Sequence, residues 1–193
     1  MQSVRVRDVM IPIAHYVTVK REHTLIEVIQ ALEEARQSRS GRAHRDALVV
    51  DDTGRFIGKV TMIDIFRSLE PNYKRVEEQQ RNGVLTRDFV MRGIRDLGLW
   101  MEPLKDLCTR GGRQRVAEVM HVPDKYEYIK EDESLDAALH RYVMGVHQPL
   151  LVTQGETVTG ALRFGDVFEV IRERMLNCLW EPGDAPAGRK PAP

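Results

Sequence analysis

Several things are scarce in this chain, and each scarcity closes a door. There are only two cysteines, Cys108 and Cys178, far apart and without metal-ligand spacing. A disulfide scaffold or a cysteine-ligated zinc site is therefore not expected. Cys178 sits in an apolar helical pattern and reads as a small buried residue. Aromatic residues are few, at 6%. No run approaches the roughly 18–20 apolar residues that a membrane helix needs. Net charge is absent, since 29 Lys and Arg balance 29 Asp and Glu. Bulk electrostatic binding to nucleic acid or to an anionic membrane is therefore not expected. The polar N-terminus, Met1 to Asp8, shows no secretory pattern, and a reducing cytoplasm is the expected location.

What is present is a repeat. Val9-Met10 is echoed by Val119-Met120, and Thr24-Leu25 by Ser134-Leu135, both at an offset of 110. Ala47-Leu48-Val49-Val50 is echoed by Pro149-Leu150-Leu151-Val152, and Gly58 to Asp64 by Gly160 to Asp166, at an offset of 102. A polar, basic stretch from Gln37 to Arg45, absent from the second copy and read as a surface loop, accounts for the difference.

Each copy reads as strand, helix, strand, strand, helix. Leu25, Val28, Ile29, Leu32 and Ala35 form one apolar helical stripe, opened by a Thr24–Glu27 capping box. Ala47 to Val50 is a continuous apolar run suited to a strand buried on both faces. Asp51-Asp52-Thr53-Gly54 is turn chemistry. In the second copy, Tyr126 to Ile129 reads as the first strand. Leu135, Ala138, Leu139, Tyr142 and Val143 share a helix face. A last helix from about Asp166 to Leu179 carries Val167, Val170, Ile171, Met175 and Leu179 at core spacing.

The predicted layout is α+β: repeat 1 over 1–66, a helical insert over 67–115, repeat 2 over 116–180 and a disordered tail over 181–193. In the insert, Leu85, Phe89, Ile94, Leu97, Met101 and Leu104 recur at helical spacing, with a break at Pro103. Thr109 to Gln114, with Gly111-Gly112, reads as a flexible basic loop. The insert holds 11 Lys and Arg against 7 Asp and Glu, and reads as a covering helical hairpin, a dimer contact or a docking element.

The ordered set Arg7-Asp8-Val9-Met10, Leu25 with Glu27, Ala47 to Asp51 and Gly58 to Ile65, matched by Ala117 to Met120, Ser134-Leu135, Pro149 to Val152 and Gly160 to Val167, resembles a cystathionine β-synthase (CBS) domain. The repeat as a whole resembles a tandem CBS pair, also called a Bateman module. The resemblance covers about three-quarters of the chain. It implies two β-α-β-β-α units packed as a pseudo-two-fold pair. It also implies adenosine ligands, such as AMP, ADP, ATP or S-adenosylmethionine, in clefts between the units, with no required cofactor. Homodimerisation and a regulatory rather than catalytic role are implied too.

The family pattern places a Ser or Thr and an Asp at a helix start. A carboxylate there can accept both ribose hydroxyls, and free N–H groups can hold phosphate. Thr61 and Asp64 fit in full, and they equally fit a plain capping box. In the second copy Asp166 is retained, but Arg163 stands where the hydroxyl belongs. Arg163 either grips a phosphate or pairs with Asp166 and closes the site. Two unequal sites are expected, with Thr61 and Asp64 the more secure. Pro12 and Ile13, and Pro123, lie in the stretches before the first strands that contact the base in the family, though Pro12 and Pro123 equally read as turn residues. Pro149, at the start of the matched apolar strand, is a further ligand-binding candidate. Tyr16 and Tyr126 are stacking candidates, or half-buried core. Arg110, Arg113 and Arg115 read as solvated loop charges. The six histidines, His15, His23, His44, His121, His140 and His147, show no close metal pattern, and no metal is expected.

The chain reads as a ligand sensor acting on an unidentified effector protein. The alternative is an interaction module with degenerate sites that docks partners through the insert. No nucleophile–base set or Walker-type loop points to an enzyme.

Overall fold

The computed structural model describes residues 4–38, 44–70, 91, 95–96 and 107–177. The predicted insert positions Leu85, Phe89, Ile94, Leu97, Met101, Pro103 and Leu104, Cys178 and the 181–193 tail lie outside the described residues. Secondary structure follows the repeat. The strands are β1 (Ile11–Pro12), β2 (Thr18–Lys20), β3 (Ala47–Val50), β4 (Phe56–Val60), β5 (Tyr128–Lys130), β6 (Leu150–Gln154) and β7 (Thr157–Leu162). The helices are α1 (Leu25–Ser38), α2 (Met62–Leu69), α3 (Leu107–Arg113), α4 (Val116–Val119), α5 (Leu135–Val143) and α6 (Phe164–Asn177). The fold is mixed α+β, with two sheets.

Caps set where the helices begin. At α1 the Thr24 amide donates to Glu27 (2.6 Å) and the Glu27 amide donates back to Thr24 Oγ1 (3.3 Å). Ser134 caps α5 by accepting from the Ala137 amide. Each cap satisfies N–H groups that a helix start leaves without intrahelical acceptors. The turn at Asp51 closes through its carboxylate, which accepts from the Thr53 and Arg55 amides, with Gly54 in the left-handed region at φ 79°.

In both repeats a parallel pair is extended by an antiparallel strand: β2–β3–β4 in one sheet, β5–β6–β7 in the other. Alternation along β3 and β6 explains their unbroken apolar runs. Ala47 and Val49 face the helices of their own repeat, as do Leu150 and Val152, while Leu48 and Leu151 meet between the two sheets with Tyr16 and Ala161.

The repeats also exchange their leading segments. β1 pairs with β7 of repeat 2, Ile11 opposite Ala161 and Pro12 opposite Gly160. Val6 is buried among Ile129, Leu135 and Leu162. Reciprocally, Val116 is buried against Val19, Leu25 and Val60 of repeat 1, and His121 bridges Lys59 on β4. The partition at residue 116 in sequence is therefore not the partition in space. Residues 4–12 complete the second unit and 115–121 complete the first.

Some expectations change. Thr109 to Gln114 is not a flexible loop, because α3 runs through Gly111 and Gly112 against α1. A Cβ on Gly111 would lie 3.3 Å from Ile26 Cγ1, so the two glycines let the helix approach closely. Ile29, Val143 and Met175 lie on the predicted faces by spacing but are exposed. The first strand of repeat 2 begins at Tyr128, because Asp124 caps a 3-10 turn over Lys125–Glu127.

Candidate functional site

The two repeated aspartates mark two clefts between the repeats, and side chains fill them differently. At the first, Thr61 caps α2 in a reciprocal box. The Thr61 amide and hydroxyl both donate to Asp64 Oδ2 (2.9 and 2.7 Å), and the Asp64 amide donates to Thr61 Oγ1 (3.4 Å). Both residues are buried. The remaining carboxylate oxygen, Oδ1, faces His147 Nε2 at 3.7 Å.

Behind this carboxylate lies a buried ion pair. Lys59 is fully buried on β4, and its Nζ lies 2.6 Å from Glu127 Oε2. Its remaining donors go to the carbonyls of His147 and Pro149, both at 2.8 Å. Glu127 Oε1 lies 2.6 Å from His121 Nε2 and accepts from the Asp124 amide. The His121 and His147 rings stack with centroids 4.2 Å apart. Burial pulls the Lys59 amine below its ordinary value, against the opposing pull of Glu127. Burial would raise Glu127 and Asp64. Lys59 and His121 outweigh it for Glu127, the nearby His147 ring and the hydrogen bonds from Thr61 outweigh it for Asp64, and both carboxyls end below the usual range.

Fewer protons on these two carboxyls in the folded state make a pH prediction. Their contribution is complete above the ordinary carboxylate values of about 4 and is lost as pH falls through the lower folded values. The urea midpoint should drop between roughly pH 5 and pH 3. Asp64→Asn should shallow that drop; an equally steep drop in the variant would refute the assignment.

At the second cleft, Arg163 pairs with Asp166 through two bonds, Nε to Oδ2 (2.7 Å) and Nη2 to Oδ1 (3.0 Å). Of the two roles open to Arg163, the structure adopts the pairing with Asp166. Asp166 is buried and Arg163 half-buried. Burial would lower the Arg163 guanidinium, but Asp166 holds it above its ordinary value. The pair does not fill the cleft. A cavity of about 400 Å³ opens here, lined from repeat 1 by Arg45, Asp46 and Met62 and from repeat 2 by Gln148, Arg163 and Asp166, among others. Tyr16 is buried beneath it, and its hydroxyl donates to Asp46. Burial raises the Asp46 carboxyl despite Tyr16 and Arg163, which act to lower it.

The predicted residues thus divide. Thr61, Asp64 and the Pro149 carbonyl gather at the first cleft, and Arg163 and Asp166 line the second. Pro12, Ile13 and Pro123 do not line that cavity: Pro12 is spent on strand pairing, and Ile13 packs between the sheets. Tyr126 is exposed under Lys125. Two of the histidines, which show no metal spacing in sequence, converge on Asp64 in space. Asp64, His121 and His147 are distant in sequence, but one ligand atom from each lies within 4.8 Å of the others. Lys59 and Glu127 were missed, although their repeat partners, Ala161 and Val17, marked both positions as core and a charge at each as unusual.

Two β-α-β-β-α units that share sheets across an inter-repeat cleft define a class. A family model described as CBS domain matches residues 6–71. The chain contains a CBS domain, and its fold is that of a tandem CBS pair. No curated protein matches the chain in sequence. Among solved structures, it resembles the CBS domain of a CBS domain containing membrane protein from Sphaerobacter thermophilus at 21% identity and a TM-score of 0.54, covering 86% of this chain and 87% of that one. It resembles CBSX2 in complex with AMP at 16% identity and a TM-score of 0.56, covering 88% and 97%. CBSX2 is also described as a CBS-pair protein from Arabidopsis thaliana. It also resembles the CBS domain of a bacterial CNNM/CorC family Mg2+ transporter in complex with ATP, at 17% identity and a TM-score of 0.54, covering 88% and 87%. No helix among the described residues is long and apolar enough to cross a membrane.

Proposed function

We propose that this chain is a regulatory, non-catalytic module that binds an adenine nucleotide or related adenosine compound between its repeats and signals to a partner protein through the geometry of a homodimer. The carrying observation is the cavity at the start of α6. Its volume of about 400 Å³ falls within the roughly 300–1,000 Å³ usual for small-molecule sites. Structures of the same fold that carry AMP and ATP support the ligand class. Asp166 is the ribose acceptor in this reading. Arg163 leaves Asp166 to bind phosphate, where a planar guanidinium can make paired bonds. Arg45 adds positive charge at the rim, and Met62 and Phe164 supply apolar surface. The ranking expected from sequence is thereby reversed. Asp64 lies against His147 and the buried Lys59–Glu127 pair, so the Asp166 cleft is the better ligand site.

Thermal shift of the full chain with AMP, ADP, ATP and S-adenosylmethionine tests this. A ligand at 100 times its dissociation constant should add about 2.7 kcal/mol of stability. Asp166→Ala should abolish that gain and Asp64→Asn should preserve most of it. The opposite pattern would return the ligand to Asp64. No shift with any of the four at millimolar concentration would refute the adenosine reading.

The second reading, an interaction module, draws on an apolar groove of about 370 Å³ lined by Leu25, Ile26, Ile29, Ile65, Phe66 and Leu69, with Gly111 of the insert at its edge. Phe66, half of whose surface is exposed, is the largest apolar side chain of that groove. Phe66→Glu should dissociate the dimer in light scattering if this groove forms it.

A further inference from the structure

We propose that Asp64, His121 and His147 form a site for one divalent transition-metal ion of the zinc class, clamping repeat 1 to repeat 2. This goes beyond the nucleotide reading and uses the other cleft. The donor set is two imidazoles and a carboxylate, which suits zinc-class ions and disfavours Mg2+. The three ligand atoms lie within 4.8 Å of one another. Adjacent ligands around a tetrahedral ion with bonds near 2 Å sit roughly 3.3–3.6 Å apart, so binding closes the cluster by about 1 Å and tilts the stacked rings.

Four observations fit. Asp64 Oδ2 is taken by Thr61, and Oδ1 is the oxygen turned to His147. Both ring nitrogens of His147 are buried without a hydrogen-bond partner, an arrangement that costs free energy unless something binds them. Glu127 sits behind both rings, with Oε1 at 2.6 Å from His121 Nε2 and Oε2 at 3.9 Å from His147 Nδ1. A carboxylate that holds one nitrogen of a histidine while the other ligates is the usual outer support of a metal site. Finally, Lys59 neutralises Glu127 and directs its donors to Glu127 and two carbonyls, which leaves Asp64 as the uncompensated charge of the cluster.

The test is titration of the metal-stripped full chain with Zn2+ by calorimetry and with Co2+ by visible absorption. One ion per chain should bind, and Co2+ should show ligand-field bands that Zn2+ abolishes and millimolar Mg2+ does not. His147→Ala and His121→Ala should each remove binding. Glu127→Gln should weaken it by roughly 10–100-fold. His140→Ala, an exposed histidine elsewhere, should leave it intact, and circular dichroism should show each variant folded. Stoichiometric binding that survives His121→Ala and His147→Ala, or no binding in the micromolar range, would overturn the site. Asp166→Ala should not alter metal binding, so failure here leaves the nucleotide reading to its own test.

Discussion

Lys59→Met is expected to cost about 3–5 kcal/mol, because it strands a buried carboxylate. Glu127 is almost wholly buried and lies 2.6 Å from Lys59. Without the ammonium its charge has no adequate compensation, since His121 and the Asp124 amide reach only Oε1. For a chain of this size the melting temperature should fall by roughly 6–20 °C. The informative partner is Lys59→Met/Glu127→Gln, which removes both charges and keeps an acceptor for His121 and Asp124. Replacing a whole buried pair is often neutral, whereas breaking one is costly. The double variant should therefore regain most of the loss in urea denaturation. A single variant within about 1 kcal/mol of wild type would show the pair to be solvated rather than buried.

Gly160→Val is expected to cost at least about 3 kcal/mol, near the top of the range for overpacking, because the obstruction is backbone. Even a Cβ at Gly160 would overlap the Ile11 carbonyl oxygen and lie 3.1 Å from the Pro12 Cα. Strand β1 would have to leave β7, taking with it the segment that buries Val6. The equivalent Gly58 is also crossed by a leading segment, but there a Cβ would meet the His121 carbonyl oxygen at 3.1 Å and the Met120 Sδ at 3.2 Å. Methionine can move and that contact is looser. Gly58→Ala should therefore cost less than Gly160→Ala. Faster amide exchange in residues 4–12 of Gly160→Val, with the β2–β3–β4 sheet unchanged, would locate the damage. Equal stability of Gly160→Val and wild type would refute the close crossing.

These two positions show how the repeats diverged. Both keep the glycine that admits the partner's leading segment and the aspartate at the following helix start. Between those fixed points, repeat 1 carries Lys59 and Thr61, whereas repeat 2 carries Ala161 and Arg163. The lysine draws Glu127 and two histidines into one cleft, and the arginine turns onto its own aspartate beside an open cavity.

Local patterning was legible in the chain itself. The continuous runs Ala47–Val50 and Leu150–Val152 announce doubly covered strands, and Thr24–Glu27 and Thr61–Asp64 announce helix starts, because periodicity and capping act over a few residues. The doubled motif likewise announces the paired fold and its two aspartates. The exchange of leading segments was not legible, since Val6 and Val116 are apolar wherever they pack, and only the tertiary pairing decides whose core they complete. The Asp64–His121–His147 cluster and the Lys59–Glu127 pair depend on contacts between residues 26 to 83 positions apart in the chain, apart from the local His121–Glu127 bond. Spacing in sequence carries no signal for such contacts; the packing of one sheet against the other creates them. Arg163 is different: its pairing with Asp166 at 2.7 Å is local, three residues apart at the helix start, and what only the tertiary structure decided there is the open cavity beside the pair.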